Sequence, residues 1–156
     1  MLTHIEQKKL PYTPEQMFDL VAGVDQYREF LPWCAASRIR GWEGDSVFHA
    51  DLVIGYKMFR ETFSSRVVLQ PPLDGQEGRI TIEYMDGPLQ SLQNQWRFIE
   101  GSSGSCLVDF SVEFSFKNKM FQGLVEMFFE QVVRRMVDAF EKRARDLYSA
   151  SPSKPS

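Results

Sequence analysis

The residues whose side chains could perform acid–base, nucleophilic or metal chemistry are few and scattered in this sequence. Its two histidines, His4 and His49, fall on separate predicted strands, and no further ligands accompany them as a zinc site requires. Cys34 has no histidine near it in the sequence, and a cysteine nucleophile needs a neighbouring base. The sequence also lacks a Gly-x-Ser-x-Gly motif, a Walker loop and a dinucleotide-binding fingerprint. We therefore predict no catalytic residue, no metal site and no enzyme activity.

Two polar side chains lie within aromatic stretches, and each has two interpretations. Glu61 is either buried, where it can hydrogen-bond a polar headgroup, or paired with a basic neighbour at the surface. Asn94 shares one face of a predicted strand with Trp96 and Phe98. It is a specificity contact if that face points inward, and an edge residue if it points outward.

One long amphipathic helix is predicted from Asn118 to about Tyr148, because apolar residues recur every three or four positions without a proline. The opposite face is charged, with acid–base pairs at i,i+4 that contribute about 0.2–0.5 kcal/mol each. These predicted pairs are Glu130–Arg134, Asp138–Lys142 and Glu141–Arg145. The apolar face is wide and needs a broad partner surface.

The sequence before this helix supplies strands. Thr3–Leu10 is predicted as an edge strand, followed by a helix that begins with a capping box at Thr13 and a second short helix that ends before Pro32. From Ser37 to Phe116 the apolar residues alternate, as in antiparallel strands with one buried face. The six predicted strands are Ser37–Trp42, Ser46–Ile54, Phe59–Leu69, Arg79–Met85, Leu89–Ile99 and Ser105–Phe116. The predicted fold class is α+β, a curved antiparallel sheet of six or seven strands around the C-terminal helix.

Such a sheet leaves space beside the helix where its strands do not close fully, and apolar ligands occupy spaces of this kind. Trp33 is either at the mouth of this space, or at a membrane interface, or folded onto the core. The residues predicted to line the cavity are Phe30, Leu31, Trp33, Leu52, Ile54, Phe59, Glu61, Phe63, Asn94, Trp96, Phe98, Phe128, Val132 and Met136.

The bulk properties are those of an ordinary globular domain of 156 residues with a net charge of −3. This charge argues against binding DNA through the overall electrostatic field. We expect residues 1–148 to form the domain and residues 149–156 to be a disordered tail, since the tail is small, polar and rich in proline. No signal peptide or membrane span is predicted. We expect the protein in the cytoplasm, either free or peripheral at the inner face of the membrane.

Several motifs in order give the chain a resemblance to a known family. They are Tyr27–Cys34, Leu52–Gly55, Arg60–Phe63, Gly87–Leu89, Gln95–Phe98, Val108–Phe110, Met127–Phe129 and Ala139–Arg143. Together they resemble the coenzyme Q-binding protein family, START-like helix-grip proteins related to the polyketide cyclase group. The resemblance implies a lipid-sized cavity that binds ubiquinone or a similar polyprenyl lipid as ligand, without a catalytic cofactor. It implies a carrier or chaperone that supports respiratory electron transport and quinone biosynthesis.

Two other functions remain open. A related bacterial group consists of ribosome-associating toxins that block subunit joining, and it shares much of the same pattern. Trp33 between Pro32 and Cys34 favours the quinone-binding group. An enzyme of the polyketide cyclase or aromatase type would need a polar acid–base residue that points into the cavity. For the carrier, we expect a lid near 23–34 or 52–59 to open at a membrane surface.

Overall fold

The structure is a computed structural model that describes residues 1–56, 58–73 and 75–149. Seven strands, two α-helices and two short helical segments follow one another along the chain. The strands are β1 (Leu2–Leu10), β2 (Cys34–Glu43), β3 (Val47–Tyr56), β4 (Phe59–Gln70), β5 (Gly78–Asp86), β6 (Leu89–Glu100) and β7 (Cys106–Phe116). The helices are α1 (Pro14–Ala22), a 3₁₀ helix (Val24–Glu29), α2 (Lys119–Ala144) and a final π-helical turn (Arg145–Ser149).

The seven strands form one curved antiparallel sheet in the order β1-β7-β6-β5-β4-β3-β2. Strands β2 to β7 pair with their sequence neighbours, because short turns join them, and this confirms the predicted meander. Strand β1 pairs with β7 and forms an edge, so the first and last strands lie side by side. The sheet and the long C-terminal helix form the predicted helix-grip arrangement.

The start of α1 is set by local sequence, as predicted. The Thr13 hydroxyl accepts a hydrogen bond from the Gln16 backbone N–H at 3.1 Å, and the Gln16 side chain accepts one from the Thr13 N–H at 2.9 Å. This reciprocal capping box satisfies two donors that the first turn leaves without partners. Met17 and Val21 are then fully buried against the sheet, so α1 covers one end of its interior face.

Helix α2 is the predicted long helix, but its two halves are buried to different degrees. Asn118 caps it by accepting a hydrogen bond from the Met120 N–H at 2.8 Å. The second half buries Val133, Phe140 and Ala144, whereas no residue from 119 to 132 is buried. The first half therefore contributes much less apolar burial than the wide apolar face of the sequence suggests.

The predicted ion pairs along α2 are wrong, since none of the three forms within the described part of the chain. Glu141 instead pairs with Lys8 of β1 at 3.0 Å, and Lys142 pairs with Asp146 at 3.1 Å. The tertiary structure supplies Glu141 with a partner from the sheet edge that helical spacing cannot reveal. Ser149 ends the π-helical turn, and the rest of the predicted tail, 150–156, lies outside the described residues.

Candidate functional site

The interior face of the sheet has a packed half and an open half. On each of five strands, the interior residues change from buried to partly exposed, moving away from α1. The last buried residues are Ala50, Val67, Ile80, Trp96 and Phe110, and the next interior residues, all partly exposed, are Leu52, Ser65, Ile82, Asn94 and Val112. Because the change occurs on five neighbouring strands, it marks the end of the well-packed core.

The packed half is filled by α1 and by the second half of α2. The rings of Phe18 and Phe98 lie 5.8 Å apart, and those of Trp96 and Phe140 lie 5.3 Å apart. Phe98 has no exposed surface. These edge-to-face aromatic contacts are typical of a stable core, which leaves no room for a ligand.

The open half lies beneath the first half of α2, and we call it the cleft. Its walls are the partly exposed interior residues of β3 to β7 and the helix residues Val125, Phe128, Phe129 and Val132. The helix reaches the sheet through aromatic contacts on two sides. Phe128 lies 6.2 Å from the Tyr56 ring of β3, and Phe129 lies 5.6 Å from the Phe114 ring of β7.

Three phenylalanines close the far end of the cleft, and we call them the aromatic closure. The ring of Phe59, at the start of β4, lies 6.0 Å from Phe116 and 5.6 Å from Phe121. These residues come from the β3–β4 hairpin, the end of β7 and the first turn of α2. Opening this end therefore requires only the hairpin and the first turn of the helix to separate.

The enclosed space between helix and sheet is small. A cavity of about 40 Å³ lies at the boundary of the two halves, lined by residues that include Leu10, Trp96, Phe110, Met136 and Phe140. This volume holds about three water molecules, whereas ligand pockets usually measure about 300–1,000 Å³. This cavity alone is therefore too small for the polyprenyl lipid that the resemblance implies. A large ligand requires the first half of α2 to move away from the sheet.

A larger depression of about 620 Å³ lies elsewhere, over β5 and β6. Its lining includes the outward-facing residues Thr81, Glu83, Gln93 and Gln95 and also Ile82 and Asn94 of the interior face, and it includes no residue of α2.

The strand register settles the orientation of the two polar candidates. Glu61 pairs with Ile54 and alternates with the outward-facing Ser64, so its side chain lies on the interior side among partly exposed apolar residues. Asn94 also lies on the interior side, where its amide donates a hydrogen bond to the Ser111 carbonyl at 2.9 Å. The interior of the open half thus contains two polar groups, and the predicted surface ion pair of Glu61 does not form among the described residues.

Trp33 lies beside the end of β3, where its backbone carbonyl accepts a hydrogen bond from the Gly55 N–H at 2.9 Å. Its side chain is partly exposed, but the indole Nε1 is buried and finds no acceptor among the described residues. A buried donor without an acceptor costs about 1–3 kcal/mol.

The structure brings some of the predicted cavity residues together and separates others. In or at the end of the cleft lie Leu52, Ile54, Phe59, Glu61, Phe63, Asn94, Phe128 and Val132. Trp96 and Met136 line the small boundary cavity. Phe30, Leu31 and Phe98 belong to the packed half, where the Phe30 ring lies 5.2 Å from Phe140. Phe30 and Leu31 pack there because the segment after α1 folds onto the second half of α2, whereas Phe98 of β6 packs against Phe18 of α1.

Sequence reasoning missed a row of charged residues on the interior side of β1. His4, Glu6 and Lys8 alternate inward, with His4 2.8 Å from Glu6 and Lys8 3.0 Å from Glu141. The hydrogen bond to Glu141 raises the pKa of Lys8 above its usual value. Inward-pointing charges on an edge strand prevent association with another sheet edge. The alternation of the three residues in the sequence could have indicated that their side chains share one face of the strand.

The remaining chemistry-bearing groups are inert or outward-facing. Cys34 and Cys106 are free and buried, and burial raises the pKa of both thiols, that of Cys106 to about 11. Asp109 lies on the outer face of β7, where it accepts a hydrogen bond from Gln7 at 2.8 Å. No group of three or more His, Cys, Asp or Glu side chains in the described segments is arranged to hold a metal ion.

Within the same segments, no helix has the length and apolar composition needed to cross a membrane.

Comparison with known proteins gives the site its context. Residues 10–141 match the family described as polyketide cyclase/dehydrase and lipid transport. The chain is 35% identical to the mitochondrial coenzyme Q-binding protein COQ10 homolog B of Xenopus laevis, over 94% of this chain and 59% of that protein. It therefore spans less than two thirds of that relative. It is also 35% identical to the ribosome association toxin RatA of Rickettsia prowazekii, over 94% of this chain and 99% of the toxin.

Among solved structures, the Zhui aromatase/cyclase of Streptomyces sp. R1128 superposes with a TM-score of 0.77 over 96% of this chain and 98% of that chain. The two sequences are 14% identical. At this identity the likeness concerns the fold alone.

Proposed function

Because the chain belongs to the polyketide cyclase/dehydrase and lipid transport family, we propose that it binds ubiquinone or a similar polyprenyl lipid in the cleft. The observation that carries this proposal is the change from buried to partly exposed residues across five strands beneath the first half of α2. A fold that only needed stability would fill this region, since burying apolar surface yields about 25 cal/mol per Å². A polyprenyl lipid would cover the apolar walls of the cleft, which the protein itself leaves partly exposed.

The polar groups near the cleft suit a quinone headgroup. Quinone carbonyls only accept hydrogen bonds, and the Trp33 indole N–H is a buried donor without an acceptor among the described residues. Asn94 and Glu61 add polar contacts on the interior side. The isoprenoid tail is expected along the apolar walls and out through the aromatic closure.

The protein acts as a carrier or chaperone for the lipid rather than as a catalyst, and in this role it supports respiratory electron transport and quinone biosynthesis. Its relative from Xenopus laevis is named as a coenzyme Q-binding protein. Loading and delivery require the first half of α2 to separate from the sheet, and they take place where the lipid resides, at a membrane surface.

The test is organic extraction of protein purified from a host that makes ubiquinone, followed by mass spectrometry. We expect ubiquinone to co-purify with the wild-type protein. Leu52→Trp fills the cleft and should lose the lipid, whereas Val53→Trp, one residue along on the outer face of β3, should retain it. Both variants are checked for folding by circular dichroism. An empty wild-type protein, or equal lipid in both variants, contradicts the proposal.

Ribosome association is the second candidate, because a relative named as a ribosome association toxin matches over 99% of its length. Arg134, Arg135 and Arg145 are exposed on α2 and the turn after it, without ion-pair partners among the described residues. Arg143 instead stacks on the Phe30 ring at 5.1 Å. Co-sedimentation with ribosomal subunits tests this candidate, and a triple Gln variant at the three exposed arginines should remove any binding.

A cyclase or aromatase activity is the third candidate, favoured by the interior position of Glu61. Acid–base catalysis needs such a group within reach of the substrate. Turnover of an aromatic polyketide by the wild type but not by Glu61→Gln would establish it over the carrier function.

A further inference from the structure

The first half of α2 exposes large apolar side chains beside its contact with the sheet. Met120 and Met127 are 78% and 75% exposed, and Leu124 is 49% exposed. Their spacing at i, i+4 and i+7 places them in one stripe, which borders the side of the helix that carries Phe128 and Phe121. The apolar face of this half of the helix is therefore wider than the part that contacts the sheet, which is unusual for a helix without a partner.

A fourth apolar side chain extends from the neighbouring hairpin. Met58, between β3 and β4, is 98% exposed. Its neighbour Phe59 contacts Phe121 at 5.6 Å, and Phe121 is in turn the neighbour of Met120. The four exposed residues, Met58, Met120, Leu124 and Met127, thus adjoin the aromatic closure, and we call them the apolar rim.

Basic side chains that lack ion-pair partners surround the apolar rim. Arg60, Lys117, Lys119, Arg134 and Arg135 are all exposed, and none forms an ion pair within the described residues. The rim and these basic residues lie in segments 58–60 and 117–135, in which Glu126 and Glu130 are the only acidic residues. The local charge is positive although the whole chain carries −3. Elsewhere, arginines such as Arg66 and Arg97 are paired on the outer face of the sheet.

We propose that the apolar rim and its basic border form a docking surface for an anionic phospholipid bilayer. The methionines and the leucine insert among the acyl chains near the headgroups, while the basic residues contact lipid phosphates. Docking places the aromatic closure directly at the bilayer, so that separation of Phe59 from Phe121 opens the cleft into lipid. This exchange route rests on the proposed carrier function, but the docking surface itself does not depend on which ligand is carried.

The composition of the surface favours a bilayer over ribosomal RNA. Sequence-tolerant RNA surfaces combine basic residues with exposed aromatic rings that stack on bases. The apolar rim instead holds flexible aliphatic and thioether side chains, which suit a fluid apolar medium. RNA binding is therefore an outcome that the test separates from docking on lipid.

The test measures co-sedimentation of the full chain with vesicles of phosphatidylcholine alone and with vesicles that contain phosphatidylglycerol. We expect binding to the anionic vesicles only, weakened by salt. Met120→Gln combined with Met127→Gln should reduce binding at least tenfold. Lys117→Gln and Lys119→Gln should each reduce it about fivefold, the equivalent of about 1 kcal/mol per basic residue.

Met85→Gln is the matched control, because Met85 is 54% exposed on β5 and lies outside the rim. It should bind vesicles as the wild type does. Wild-type protein that ignores anionic vesicles, or rim variants that bind as well as Met85→Gln, would overturn the proposal, as would binding to ribosomal RNA without binding to vesicles. Lipid extraction from the same preparations separates the two ideas, since docking without co-purified quinone contradicts only the carrier function.

Discussion

Phe63 and Phe98 lie on the same interior face of the sheet but in different halves, and this makes them a matched pair for testing the cleft. Phe98 is fully buried in the packed half, whereas Phe63 is partly exposed in the open half. Phe98→Ala leaves a cavity in close-packed surroundings and should cost about 3–5 kcal/mol of unfolding free energy. Phe63→Ala removes a ring that has fewer neighbours to lose, and should cost about 1–2 kcal/mol.

For a chain of this length, about 1 kcal/mol corresponds to a shift in Tm of about 2–4 °C. Phe98→Ala should therefore lower Tm by roughly 6–20 °C and Phe63→Ala by roughly 2–8 °C, as measured by circular dichroism. The loss of ligand affinity should follow the opposite order, with Phe63→Ala losing more than Phe98→Ala. If the ring of Phe63 covers about 50 Å² of ligand, its loss costs about 1.3 kcal/mol, or roughly tenfold in Kd.

Equilibrium titration with a short-tailed ubiquinone measures this loss, and Phe98→Ala serves as the control in conditions where it remains folded. Its Kd should stay within about twofold of the wild type, because the side chain does not reach the cleft. The reasoning is refuted if Phe63→Ala destabilises the fold as much as Phe98→Ala, since the open half would then be packed core.

Three further perturbations test other parts of the structure. Gly123→Ala should raise the free energy of unfolding by up to about 1 kcal/mol in a denaturant titration, because Gly123 is helical and exposed and an added Cβ meets no atom within 4 Å. Glu77 accepts hydrogen bonds from Arg97 and Arg79, which lower its pKa from 4.5 to about 2, so its stabilisation is present above pH 4.5 and is lost as the pH falls toward 2. Glu77→Gln should cost about 1 kcal/mol at neutral pH, and this difference from the wild type should vanish in acid melts. Trp33→Phe removes the indole donor and should weaken ubiquinone binding about three- to tenfold in the same titration, without lowering Tm; unchanged affinity would show that the indole does not contact the headgroup.

Local sequence was enough to predict the elements of this fold. The capping box at Thr13, the alternation from Val108 to Phe116 and the uninterrupted apolar spacing of α2 each reflect interactions between residues close in the chain. Turn residues separated the strands, and short turns leave few ways to pair them. The position of β1 beside β7 was not evident, because that pairing joins opposite ends of the chain.

The candidate site was predicted only in part. Alternation placed Leu52, Ile54 and Phe63 on one face, and the register then joined Glu61 and Asn94 to that same interior. Alternation in the sequence could not show that Phe98 is core while Phe63 lies in the cleft, since two phenylalanines on interior strand faces look alike in sequence. Their difference depends on which half of α2 lies above each of them.

The sequence by itself determined which segments are strands and helices, which faces are apolar and that no catalytic cluster is evident. Those properties arise from periodicity and from residue types. Only the tertiary structure decided where the close packing ends and that Glu141 forms an ion pair with Lys8 instead of Arg145. It also decided that Met58 and Met120 adjoin the aromatic closure. These features depend on contacts between residues far apart in the chain, and their geometry is set when the sheet curves around the helix.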